Sequence, residues 1–200
     1  MKQIDVNSIN TLFSSIESTG KFYNFKYRCS NKLNQIGLIK DHIFVFSNFK
    51  NEKFQANLHE YDIDLFAVKF YAKKHKLSKD KYSVLTNNGD AMTILKTMVA
   101  IMIYTLNQYP NYSFCFIGNA SKDEQTEKTK RFKVYSRIMQ RYFSTDNFSH
   151  TNDAKISLYS MINKKSNVQL MASKIANLAQ KEIIDRGNNN DSVSLARNTK

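Results

Sequence analysis

The sequence predicts a single α+β domain, a mainly antiparallel sheet packed by two to three helices. Three observations carry that expectation. Between Lys21 and Tyr71 apolar side chains recur with period two, the spacing of a strand with one covered face. In the second half they recur at i, i+3, i+4 and i+7, over stretches long enough for helices. The 200 residues, 42% of them hydrophobic, are enough for one core, and no internal repeat divides them.

Ile9, Leu12, Phe13 and Ile16 mark a short amphipathic helix that ends before Gly20. Lys21 to Cys29 then alternates, with Tyr23, Phe25, Tyr27 and Cys29 on one face and Asn24, Lys26 and Arg28 on the other. Ser30 to Asn34 reads as a turn. Gln35 to Phe49 holds the apolar run Ile43-Phe44-Val45-Phe46, a strand with a hairpin or bulge near Lys40-Asp41. Phe54 to Leu58 is a further strand. Ile63 to Tyr71 fits a strand or a short helix. Lys69 to Lys81, with six lysines and one acid, reads as a polar connector.

Tyr82 to Leu85 is a short apolar strand, and Thr86-Asn87-Asn88-Gly89-Asp90 supplies cap and turn residues for the helix that follows. Residues 90 to 108 form the clearest helix. Ile94, Leu95, Met98, Val99, Met102 and Leu106 make an apolar stripe that Ile101 and Ile103 widen, so burial on much of its surface is expected. Pro110 keeps the next element from continuing it. Ser113 to Ile117 is apolar on both faces, as a central strand is. Gly118 ends it, in the expected role of a strand-end residue with positive φ. Asn119 to Thr129 is a polar loop. Arg131 to Phe143 is the second main helix, with Phe132, Tyr135, Met139 and Tyr142 as its inner face. Residues 144 to 153 read as a loop, Ile156 to Ile162 as a strand and Val168 to Arg186 as a third helix. The domain is therefore placed at 1–186. Residues 187–200, Asn-rich and aperiodic, are expected to be a disordered tail.

Charge narrows the function classes. The net charge of +13 favours an anionic partner: nucleic acid, an acidic protein or a membrane surface. With 24 Lys, 6 Arg, 22 Asn and one Pro, part of this excess reflects an AT-rich bacterial or phage genome. Three of the six arginines, Arg131, Arg137 and Arg141, nevertheless fall in one helix. The longest apolar run, Val99 to Ile103, is far short of a bilayer span. The N-terminus lacks the apolar stretch of a secretory signal, so a cytoplasmic location and no membrane partner are expected. Cys29 and Cys115 are expected to be buried free thiols. No cofactor and no metal site are expected.

The segment Asn87-Asn88-Gly89-Asp90 … Pro110 … Gly118 … Arg131-Phe132-Lys133-Val134-Tyr135 resembles an uncharacterised family of small bacterial proteins common in Bacteroidetes-like genomes. That family's pattern is a strand ending in Asn-Asn-Gly-Asp, a helix, a Pro, a strand ending in Gly-Ser-Thr, then Arg-Thr-x-Leu-Tyr opening a helix. Here Asn119-Ala120-Ser121 replaces the Gly-Ser-Thr continuation, and Lys122 to Thr129 lengthens the loop. The resemblance covers about 60 residues. It implies the same element order and carries no activity.

Lys130, Lys133, Arg137 and Arg141 recur at spacings of three, four and four, which aligns them along one face of a helix. With Arg131 and the connector lysines Lys73 and Lys74, they are the candidate nucleic-acid-binding residues. Glu60, Asp62 and Asp64 would share a face if all three lay on a strand, and His59 precedes them. That constellation suits a metal-dependent nuclease, yet the lysine such a site needs in the next strand is missing. His42, His75 and His150 stand alone. One glycine at Gly118 is too few for a phosphate loop, and no nucleophile motif is present. The expected function is thus a non-catalytic basic binding protein that holds nucleic acid through phosphate contacts. One alternative is a module that binds an acidic protein in a toxin–antitoxin or phage-defence system. The metal-dependent nuclease is the other.

Overall fold

The computed structural model describes residues 2–4, 22–32, 37–78, 81–82, 89–120, 124–125 and 127–195, with backbone alone for 2–4 and 182–195. The expected helix at Ile9–Ile16 lies outside the described residues, as does the expected strand at Tyr82–Leu85 except for Tyr82, which is in a turn.

Period-two patterning produces a run of strands. These are β1 (Lys2–Ile4), β2 (Phe25–Asn31), β3 (Leu38–Ser47), β4 (Lys53–Tyr61) and β5 (Leu65–Ala72). Each pairs antiparallel with the next. The register of β3 on β4 shifts between Leu38 and Lys40, so the irregularity expected near Lys40 is a bulge. The α1 helix (Ala91–Gln108), β6 (Ser113–Ile117), the α2 helix (Lys130–Tyr142), β7 (Phe148–Asp153), β8 (Leu158–Asn163) and the α3 helix (Val168–Leu195) complete the chain. Among the described residues the eight strands form one sheet in the order β1-β2-β3-β4-β5-β6-β8-β7. The fold is α+β with a mainly antiparallel sheet, as expected.

One pair breaks the antiparallel rule. β6 lies parallel to β5, and parallel neighbours need a crossover, which α1 supplies. The shared ladder holds only Leu65↔Ser113, Phe66↔Phe114 and Ala67↔Cys115. β5 then continues to Ala72 and β6 to Ile117 without pairing to each other. The two strands therefore part at their carboxyl ends.

The sheet is covered on both faces. On one face Phe25, Phe44, Phe54, Leu58, Phe66, Phe114 and Tyr159 pack against α1 and α2. On the other, Leu65, Ala67, Cys115, Leu158 and Ile162 pack against Met171, Ile175 and Ala179 of α3. The interior of α1 is buried nearly all round, so its threonines satisfy themselves. Thr97 and Thr105 donate to the carbonyls of Thr93 and Ile101, both at 2.8 Å.

Several sequence expectations need correction. Ile63–Tyr71 resolves as a strand, and β5 runs on to Ala72, so the polar connector begins later, with a single 3₁₀ turn at Lys73–His75. β7 lies within the segment expected to be a loop. It is an edge strand with one outer neighbour missing, and it has no apolar alternation to betray it. The α3 helix passes Arg186 and reaches Leu195. An interior glycine costs a helix only about 1 kcal/mol, so Gly187 alone does not end it. Cys115 is buried, but Cys29 is exposed: it lies past Tyr27, the last β2 residue that β1 covers. Asp90 occupies the N-cap of α1 without capping it. One carboxylate oxygen accepts from the Tyr23 hydroxyl at 3.1 Å, and the other is buried with no hydrogen-bond partner among the described residues.

Candidate functional site

The α2 helix starts where Thr129 can do two things at once. Its Oγ1 accepts from the Phe132 amide at 3.2 Å, an N-cap bond, and donates to the Gly118 carbonyl at 2.7 Å. The Thr129 amide donates to Ser157 Oγ at 3.1 Å, and the Lys130 amide to Glu124 Oε1 at 2.5 Å. The helix start is thereby tied to the end of β6. Gly118 owes its identity to this junction: a Cβ there would sit 2.7 Å from the Phe132 amide nitrogen and 2.7 Å from Thr129 Oγ1. The glycines with positive φ are Gly37 and Gly89. Gly118 is needed for space, and the positive-φ expectation for it is corrected.

The helix divides as its spacing dictates. Phe132, Ile138 and Met139 are buried, and the Tyr135 ring packs on Phe70 and Phe116. Lys130, Lys133, Arg137 and Arg141 are all exposed on the opposite side. Val134, 40% exposed, sits in the middle of that stripe. The helix contains no Asp or Glu, so the four charges meet no counter-ion on their own element. Arg131 departs from the stripe. Its guanidinium donates to the Tyr82 carbonyl at 2.6 Å and the Asn119 carbonyl at 3.2 Å, which holds it over the end of β6.

A cleft opens beside Arg131. The parting of β5 from β6 leaves a space between Val68, Phe70 and Tyr82 on one side and Phe116, Asn119 and Tyr135 on the other. Its floor is Leu95, Met98 and Met102 of α1. This part of the cleft encloses about 70 Å³. A second lobe of about 200 Å³ shares Phe70, Tyr82, Leu95, Arg131 and Tyr135 with it and extends to Lys130 and Val134. The ammonium of Lys81 lies 5.2 Å from the Tyr71 ring centre and 5.1 Å from that of Tyr82, at the mouth of this lobe. Burial pushes the Tyr135 hydroxyl up to about 12, against the opposing pull of the Arg131 charge. At neutral pH it is a donor.

Lys73 and Lys74 stand apart from α2. Lys74 donates to Glu52 Oε1 at 2.8 Å, and Lys73 lies near Lys26 and Lys53 in a separate depression. The acidic trio is dispersed. Asp62 and Asp64 are exposed in the β4–β5 turn, while Glu60 points into the core. Among the described residues no three His, Cys, Asp or Glu side chains are placed to hold a metal.

What the sequence did not reveal is how Glu60 and His42 are used. His42 Nε2 lies 2.6 Å from Glu60 Oε2, and both are almost fully buried. Tyr27 reaches the other ring nitrogen at 3.0 Å, and the Tyr112 hydroxyl donates to Glu60 Oε1 at 3.1 Å. Burial first, then the Glu60 charge, raises the Tyr112 hydroxyl well above its ordinary range. On the opposite face Asn57 donates to both Asp41 oxygens at 2.9 Å, and His59 Nε2 lies 3.8 Å from Asp41 Oδ1. Adjacent residues on β3, Asp41-His42, thus answer adjacent residues on β4, His59-Glu60, one pair per face. The signal was an acid beside a histidine in each of two paired strands. Comparison with family models, with curated proteins and with solved structures returns no match.

Proposed function

We propose that the chain binds nucleic acid through phosphate contacts along α2. One observation carries this reading: four exposed cations share one face of a helix that has no acidic residue. Their presence on one regular element spaces the charges, which a general excess of lysine does not do. Phosphate contacts of this kind position a protein on a chain of charges without reading its sequence.

The test is the salt dependence of binding. Removing one phosphate-binding cation lowers the log–log slope by about 0.9 on duplex DNA or about 0.7 on a single strand. Arg137→Glu with Arg141→Glu should weaken binding, flatten the slope by roughly one to two units and leave the melting temperature unchanged. Lys174→Glu with Lys181→Glu, exposed on α3, changes net charge equally and is the control. Equal losses from both pairs mean that α2 is no site. No binding of the wild-type chain at about 50 mM salt, where such contacts are strong, refutes the reading. It would favour an acidic protein as the partner of the same stripe.

A further inference from the structure

The cation stripe and the cleft meet at the first turn of α2. Lys130 and Val134, both exposed, line the outer lobe, and Arg131 and Tyr135 line both lobes. We propose that the nucleic acid is single-stranded and that one unstacked base enters this cleft while its neighbouring phosphates lie on the stripe. The inference rests on the reading of α2 as a phosphate-binding helix and names the strand type and the contact that reading leaves open.

Three features of the cleft fit a base. The outer lobe, about 200 Å³, is larger than the roughly 150 Å³ apolar cavity that holds a benzene ring. The walls are aromatic and thioether: Phe70, Tyr82 and Tyr135 stand around Met98 and Met102. Such flat, polarisable surfaces take the face of any base, so they bind without sequence preference, as a stripe of phosphate contacts also does. Lys69 lines the β5 side of the inner lobe, and the other polar groups gather at the α2 edge. The Tyr135 hydroxyl is a proton donor there, and the Arg131 guanidinium is fixed by two carbonyls beside it. That edge is the one from which Lys130 begins the stripe. A base entering between them keeps its backbone on the charged side. A duplex delivers no base to this depth without unpairing, so it forfeits the stacking interaction.

The experiment compares labelled single strands with duplexes of the same sequence at about 50 mM salt, in the intact chain. A 2-aminopurine in the strand reports stacking by its fluorescence. Stacking of one base is worth roughly tenfold to hundredfold in affinity, so the single strand should bind at least about tenfold tighter. Leu95→Phe fills the floor shared by both lobes, and Phe70→Leu removes a wall ring. Either variant, if its melting curve remains cooperative, should abolish the preference and the 2-aminopurine response and leave the salt slope in place. Equal binding of both forms, with no effect of either variant, overturns the cleft inference and leaves the stripe standing. Binding to neither form overturns both.

Discussion

Gly118→Ala is the substitution whose cost can be worked most directly from the structure. The added methyl would lie 2.7 Å from the Phe132 amide nitrogen, 2.7 Å from Thr129 Oγ1 and 2.8 Å from Phe132 Cβ. Ordinary contact begins at 3.4 Å, so these atoms must retreat by roughly 0.7 Å. They belong to the backbone, cap and first turn of α2, so the helix start moves as a unit. Overpacking of this kind costs about 1–3 kcal/mol. The same movement strains the Thr129 cap, worth about 1 kcal/mol. The expected loss is about 2–4 kcal/mol, or about 5–15 °C in melting temperature for a chain of this size. Urea unfolding should show a lower midpoint at unchanged slope. In a Thr129→Ala background one clashing atom is gone, so the cost should fall by about 0.5 kcal/mol or more, with the Phe132 contacts preserving the rest. Gly89→Ala is the contrasting case. Its φ is +77° with nothing within 4 Å of the new Cβ, so it incurs only the backbone penalty of about 1–2 kcal/mol. A Gly118→Ala loss below about 0.5 kcal/mol would show that the junction has room and that the glycine is dispensable.

Three further outcomes follow from the core. His42→Ala removes the closest partner of the buried Glu60 carboxylate, which keeps the Tyr112 hydroxyl and Lys40 Nζ at 3.7 Å, and should cost about 3–5 kcal/mol, whereas His42→Phe with Glu60→Leu should be close to neutral; chemical denaturation of the three proteins decides it. Ile101→Ala, at a fully buried position of α1, should cost about 2–5 kcal/mol in the same assay. In alkali, Tyr135 keeps its proton to about 12 in the folded chain, against 10.0 unperturbed. Its contribution is intact below about pH 10 and is lost as pH rises from about 10 toward 12. Phenolate absorbance should show one late-titrating tyrosine fewer in Tyr135→Phe than in the wild-type chain, and a Tyr135 that titrates near the unperturbed 10.0 would refute its burial.

Periodicity made the sheet and the helices legible because burial is set by which face a residue occupies. Phe25 and Phe54 alternate with polar neighbours, and Phe132 and Met139 oppose Arg137 and Arg141, so both patterns survive in the letters. The exposed stripe of α2 was readable for the same reason. Arg131 joins the candidate set because it shares the helix, and composition says nothing of carbonyls supplied by Tyr82 and Asn119. The cleft was hidden because it depends on where two strands cease to pair, a property of β5 and β6 jointly. The chain turns at Asp62, so three acids spaced for one strand face end up in different surroundings. Gly118 was read through its backbone freedom, when the constraint comes from a helix that starts after a long polar loop.

The reciprocal acid–histidine pairs on β3 and β4 also act as an alignment check on the central hairpin. In the native pairing Asp41 stands opposite His59, and His42 meets Glu60 diagonally on the far side. A slip of one residue sends each side chain of the moving strand to the other face. Asp41 would then enter the aromatic side without Asn57, and Glu60 would lose its imidazole, so two carboxylates would be stranded in a single error. A misaligned hairpin would thus be penalised on both faces before α1 and α3 close over it, and the two dyads would sort correct from incorrect zippering early in assembly.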